Sequence, residues 1–199
     1  MSKQVIIALS REYGSGGHEI AEQLAGSFGL RLYDKNILDD IAREKNIRVD
    51  YLEKYDEVPN RLFDSRRVGA YSNSLEEIVA ELQFEYLKEK AESGESFVAV
   101  GRCAETVLRE HKGLISIFVR GEIPFRTERI MRDDNLSEQE ALAKIRRIDK
   151  KRKQYHNRHS EGKWGDSRVY DVCIDSSRLG VRGTADILEA YIRARLKMQ

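Results

Sequence analysis

The sequence predicts an α/β fold built on a largely parallel five-stranded sheet, and three observations carry that reading. Five short apolar or β-branched runs recur along the 199 residues. Segments of helical patterning separate them, so successive strands must be joined by crossovers that lay helices on the sheet. With only two prolines, no low-complexity tract, no linker and no internal repeat, one domain over 1–199 is the simplest division.

The strands are expected at residues 5–9, 31–33, 97–100, 114–119 and 172–175. Between them, helices are expected at 17–28, 35–44, 74–93, 122–132, 137–158 and 181–198. Gly29 and Gly94 follow two of these helices as C-terminal stops. Capping boxes mark two starts, Ser74 with Glu77 and Ser137 with Glu140. Two stretches exceed a minimal α/β core and read as mobile covers: residues 46–73, an acceptor-side insertion, and the helical region 137–165, which resembles a lid.

Composition narrows the function classes. Thirty-five basic against 34 acidic residues leave a net charge of +1, so no global field draws the chain to nucleic acid or anionic membrane. No apolar run approaches the ~20 residues of a membrane span, and the first strand begins without a signal peptide ahead of it. A cytoplasmic protein is expected. Cys103 and Cys173 are too few and too far apart for a disulfide framework or a zinc site, and both read as small reduced core residues.

Gly14-Ser15-Gly16-Gly17 lies between the first strand and first helix. Glycines let consecutive main-chain N–H groups turn inward, and the following helix aims its positive end at the same point. Strand, glycine loop and helix therefore make a phosphate cradle, with a plain structural turn as the competing reading. Set against G-x-x-x-x-G-K-[ST] with Gly17 as the second glycine, Glu12 replaces the first glycine, His18 the lysine and Glu19 the hydroxyl. A mostly neutral imidazole clamps a triphosphate less well than an ammonium, so His18→Lys is expected to tighten binding of such an anion. Glu19 is a candidate metal ligand. Arg11 offers charge in place of the missing lysine, or pairs with Glu12 or Glu19.

Four segments together, Ser10-Arg11-Glu12-Tyr13-Gly14-Ser15-Gly16-Gly17, Tyr33-Asp34-Lys35, Gly101-Arg102-Cys103-Ala104-Glu105 and Asp175-Ser176-Ser177-Arg178-Leu179, resemble the cytidylate kinase-like family of P-loop proteins. That resemblance runs nearly the whole length. It implies a three-layer α/β/α sandwich related to the nucleoside monophosphate kinases, with ATP in the glycine loop, Mg²⁺ as cofactor and a helical lid. The implied reaction is transfer of the γ-phosphoryl of ATP to CMP, dCMP or a related monophosphate. The alternative is a catalytically weakened protein that keeps the cradle and binds a nucleotide or other phosphorylated small molecule. The family's Gly-Arg-Asp becomes Gly101-Arg102-Cys103 here, which removes the carboxylate expected to read the base. Asp34 matches an acceptor-side aspartate, but the Ser-Gly that follows it in the family is Lys35-Asn36. Asp34 and Arg102 are the candidate substrate residues, with a structural ion pair as the other reading of Arg102.

The strongest local charge runs from Lys144 to Arg158, where Asp149 is the sole acid among eight cations. Phosphoryl transfer needs such a source to neutralise charge on the transferring oxygens. Asp149 and Arg152 share a helical face, and the family's lid carries a comparable Asp-x-x-Arg. Arg152 is the first candidate for this role, with Arg147 and Arg146 behind it. A solvated helix face is the bland alternative; nucleic-acid binding is disfavoured by the neutral total and the scarcity of interleaved aromatics. Tyr155, His156, His159 and Trp164 are expected to pack rather than to stack on a base.

Overall fold

The computed structural model describes residues 4–34, 36–45, 67–68, 71–72 and 75–198. Five strands form one sheet: β1 (Ile6–Arg11), β2 (Arg31–Tyr33), β5 (Phe97–Val100), β6 (Leu114–Arg120) and β7 (Val172–Asp175). Their order is β2-β5-β1-β6-β7, and every neighbouring pair is parallel. A separate antiparallel pair, β3 (Arg67–Val68) and β4 (Tyr71–Ser72), is what is described of the expected insertion; the Ser74 cap and the rest of 46–73 lie outside the described residues.

Alternation along the strands builds two cores. Ile6 and Ala8 of β1 face α2 (Ile37–Lys45) and α3 (Leu75–Glu92), packing with Tyr33, Ile41, Tyr86, Leu87 and Phe97. Ile7 and Leu9 face the other way, onto Ile20 and Leu24 of α1 (Gly17–Phe28) and Leu188 and Ile192 of α7 (Ser176–Met198). The result is three layers, helix on sheet on helix. Each of these fully buried Ile or Leu side chains contributes about 1.5–3 kcal/mol relative to exposure, which is why a sheet with apolar faces on both sides needs both helical layers.

A third, smaller cluster joins Ile130 of α5 (Ile123–Asp134) to Ala141 and Ile145 of α6 (Glu138–His159), with Tyr13 against it. The expected box starts α6: Glu140 N–H donates to Ser137 Oγ at 3.4 Å, and Ser137 N–H to Glu140 Oε2 at 2.9 Å. One short helix, α4 (Ala104–Val107), was not expected, and α7 begins at Ser176 with a break at Gly180 (φ 68°). Cys103 is buried as expected, whereas Cys173, on the edge strand β7, is exposed. Among the described residues no helix is long and apolar enough to cross a membrane.

Candidate active site

The helices that follow β1 and β5 lie on opposite faces of the sheet, α1 in one core and α4 in the other. A crevice must open where adjacent parallel strands send their chains apart, at the carboxyl ends of β1 and β5. Arg11, Arg102, Cys103, Arg152, Tyr155 and Trp164 line that crevice.

On one side of it stands the glycine loop. Gly14 and Gly16 have φ of +81° and +77°, and a Cβ on Gly16 would sit 2.4 Å from Val181 Cγ2, so glycine is required there by torsion and by space. The loop is fastened at both ends. Glu12 N–H donates to Val119 O at 3.0 Å, Tyr13 N–H to Asp149 Oδ1 at 2.7 Å, and Ser176 Oγ to Ser15 O at 2.6 Å. Ser15 N–H bonds within the loop, to Glu12 O at 3.3 Å. At the start of α1, the N–H groups of Gly16, Gly17, His18 and Glu19 have no acceptor among the described residues, and Gly16 caps the helix without a side chain. Four consecutive amides without a protein acceptor thus sit at the positive end of a 12-residue helix, a place where anions are favoured.

His18 and Glu19 are turned to other partners. His18 Nδ1 pairs with Asp34 Oδ2 at 2.6 Å and Nε2 with Glu22 Oε1 at 3.3 Å, so both ring nitrogens are engaged by carboxylates of the protein. Glu19 is ion-paired with Arg129. The gain in ATP affinity expected of His18→Lys therefore has no basis in this geometry, since a lysine there would first break the Asp34 contact.

On the other side, Gly101, Arg102 and Cys103 are consecutive left-handed residues, with φ of +76°, +58° and +52°. Two non-glycine residues in that region cost of order 1–3 kcal/mol each and persist where the surroundings fix them. Here they turn the chain from β5 into α4 within three residues and leave Arg102, 7% exposed, at the crevice wall. Beneath it, buried Glu105 accepts from Ser10 Oγ at 3.2 Å and pairs with His156 Nε2 of α6 at 2.7 Å. Tyr170 lies 3.5 Å from His156, and its burial pushes the phenol well above its ordinary range.

That Glu105–His156 pair fastens the lid-like segment to the body. Further up α6, Arg152 donates to Arg11 O at 3.1 Å and lies over the Tyr13 ring. Asp149 accepts from Tyr13 N–H and, at 2.6 Å, from Arg126 Nη1, a guanidinium only 5% exposed that also donates to Tyr13 O. Sequence reasoning paired Asp149 with Arg152 and missed Arg126 and Arg129. Arg126 could have been noticed from its place four residues before Ile130, on the buried stripe of α5. Arg146 and Arg147 are exposed, and α6 presents Arg152 to the crevice instead. Tyr155 packs on His159 within α6 and Trp164 on Phe118 of β6, the packing expected of these aromatics.

Among the candidates, Arg102 and Arg152 line the crevice, Asp34 and Asp149 are joined to it through Arg11 and Tyr13 of the segment that leads into the glycine loop, and Arg147 is exposed away from it.

Comparisons with known proteins bear on this arrangement. A solved structure of an uncharacterized protein from Eubacterium ventriosum ATCC 27560 superposes with a TM-score of 0.76 at 36% identity, over 96% of this chain and 99% of that one. Shikimate kinase from Acinetobacter baumannii, in complex with shikimate, shares the fold at a TM-score of 0.55 and 15% identity, over 97% and 95%. The cytidylate kinase of Pyrococcus horikoshii is 26% identical over 194 residues, 95% of this chain and 88% of its own. A family model for the cytidylate kinase-like family matches residues 6–178. The chain belongs to the cytidylate kinase-like family.

Proposed function

We propose that this protein is a P-loop phosphotransferase that moves the γ-phosphoryl of ATP to the phosphate of a nucleoside monophosphate, CMP, dCMP or a related acceptor. The single observation that carries this reading is the convergence of three guanidiniums, Arg11, Arg102 and Arg152, on the crevice beside the open N-terminus of α1. A polyanion is the occupant that such charge favours, and two phosphate-bearing substrates meeting end to end need both halves of it. Family membership and the cytidylate kinases among its relatives support the same reaction class.

The four unengaged amides suit the donor phosphates, with Gly14 and Ser15 shaping the loop beneath them. Mg²⁺ at such sites is held largely by phosphate oxygens and water, and Glu19 and Asp34 are the carboxylates bordering the cradle. When bound, MgATP supplies the group to be transferred. Everything else falls to side chains of this chain. Arg102 and Asp34 orient the acceptor; Arg152, held by Arg11 O and the Tyr13 ring, neutralises charge on the transferring oxygens. Asp149 positions rather than reacts, by fixing Tyr13 and α5 against the loop. No general base is required, since the acceptor phosphate is already an anionic nucleophile at neutral pH.

The unit acting in this way is the whole chain, 1–199, with 137–165 as its lid, in the cytoplasm and without nucleic acid as a partner. Cys103 stands in place of the family's base-reading aspartate, so a panel of monophosphates is the proper test. ADP release in a coupled assay is expected with at least one pyrimidine monophosphate, and a flat response across the panel at high enzyme would remove the activity. One observation favours a second reading, a non-catalytic binder: both His18 and Glu19 are committed to protein partners. That reading predicts a rise in melting temperature, about 2.7 kcal/mol of stabilisation at a hundredfold excess of nucleotide over Kd, with no turnover.

A further inference from the structure

Helix α1 begins at Gly17, and left-handed Gly16 is its cap. Gly16 therefore ends the loop and takes the second glycine of G-x-x-x-x-G-K-[ST]; counting back five places puts Arg11 at the first glycine and Gly17 at the lysine. Both positions depart from the pattern, in complementary ways. Bulk and charge stand at 11, where the pattern has neither, and neither stands at 17, where it has both.

The two departures meet in space. A Cβ on Gly17 would lie 2.5 Å from Cβ and 2.8 Å from Cγ of Arg11, so the stem of Arg11 fills the volume through which a side chain at 17 would leave the helix. Its guanidinium then passes Gly101 so closely that a Cβ there would be 2.5 Å from Nη1. It ends 3.7 Å from Asp34, which also holds His18. Two glycines from separate segments thus make room for a single arginine, and that arginine borders the crevice with Arg102 and Arg152.

We propose that Arg11 is the phosphate-binding cation of this cradle, doing from the end of β1 what a lysine at position 17 would do from α1, with Gly17 and Gly101 as its seat. The proposal rests on the phosphotransfer reading for its ligand. An arginine in that place stays charged at all working pH values and offers a planar fork to phosphate oxygens, while Asp34 fixes its orientation. A merely structural Arg11–Asp34 pair would be indifferent to a cation supplied from elsewhere, and this separates the two roles.

The experiment is calorimetric titration of inorganic tripolyphosphate and of ATP into the parent protein, Arg11→Ala, Arg11→Lys, Gly17→Lys and the double variant Arg11→Gly/Gly17→Lys, each checked for folding by circular dichroism. Arg11→Ala is expected to weaken tripolyphosphate at least about tenfold, equivalent to about 1.4 kcal/mol. Gly17→Lys alone is expected to bind poorly, through collision with the Arg11 stem, and the double variant to recover most of the parent affinity. If the alanine variant does not fold, Arg11→Lys takes its place, with an expected loss of about threefold or more as a point charge replaces the fork. Parent-like affinity in the Arg11 single variants, or a double variant as weak as Arg11→Ala, would overturn the proposal. A parent that takes neither ligand would remove the phosphotransfer reading and this inference together; a parent that binds, with the Arg11 variants unaffected, removes this inference alone.

Discussion

The cradle and the crevice wall both offer positive charge, yet they are made differently. The cradle is main chain: adjacent residues at the start of α1, shaped by two glycines of positive φ and held by a few bonds to its ends. The wall is formed by the side chains of Arg102 and Arg152, and Arg152 is brought there across 141 residues of sequence, donating to the main-chain oxygen of Arg11. The first depends on local torsions, the second on the order of strands in the sheet and on how α6 is fastened. They should therefore respond differently to substitution.

The largest effect is expected in the fastening. Asp149→Ala would leave Arg126, 5% exposed, without its closest carboxylate, and breaking a buried pair in this way costs about 3–5 kcal/mol, measured by urea unfolding. Arg147→Ala, two residues away but exposed, should change stability by less than about 0.5 kcal/mol and turnover little. Similar costs at both positions would erase the distinction between the inner and outer faces of α6.

Next comes the cradle. Gly16→Ala and Gly29→Ala both place a side chain at positive φ, but only the first meets an obstacle, Val181, while nothing lies within 4 Å of the second. About 1 kcal/mol is expected at Gly29 from torsion, and about 1–3 kcal/mol more at Gly16 from overpacking, together with weakened nucleotide binding. Thermal unfolding of the two variants sharpens the comparison, because their difference isolates packing from torsion. In kinetics, Arg102→Ala should raise the KM for the acceptor about tenfold and leave that for ATP nearly unchanged, about 1.4 kcal/mol on one substrate alone. Equal effects on both would show that cradle and wall do not divide the substrates between them.

The smallest effect concerns pH. Burial, with Arg158 adding to it and Glu77 opposing it, lowers the pKa of His159 below its ordinary value, so the folded protein binds fewer protons there than the unfolded chain. This stability is complete above about pH 6.5 and declines as the pH falls below that value. His159→Gln should flatten the acid side of the melting-temperature profile, whereas substitutions in the cradle should leave it unchanged.

How far the sequence carried the reading follows the same division. The strands, their parallel arrangement and the glycine loop are legible because each is a local pattern: β-branched runs, glycines and capping residues act within a few positions. The helix start at Gly17 is legible, but the loop's register against the phosphate-binding pattern is not: Gly16 and Gly17 are equivalent glycines in sequence, and only the left-handed conformation of Gly16 marks it as the residue that ends the loop. Arg126 and Arg129 were hidden among the charges of α5, which resemble a solvated face until α6 packs over them. Likewise Glu105 and His156 carry no sign of each other, being 51 residues apart and joined only by the fold.

The central claim is that the amides at the start of α1 receive the donor phosphates next to the guanidinium-lined wall. Backbone amide shifts followed by NMR during titration with ATP test it most directly. Large shifts confined to residues 14–19, with smaller ones near Arg102 and Arg152, are the expected result; saturating ATP that leaves the Gly16, Gly17, His18 and Glu19 amides unmoved would contradict it.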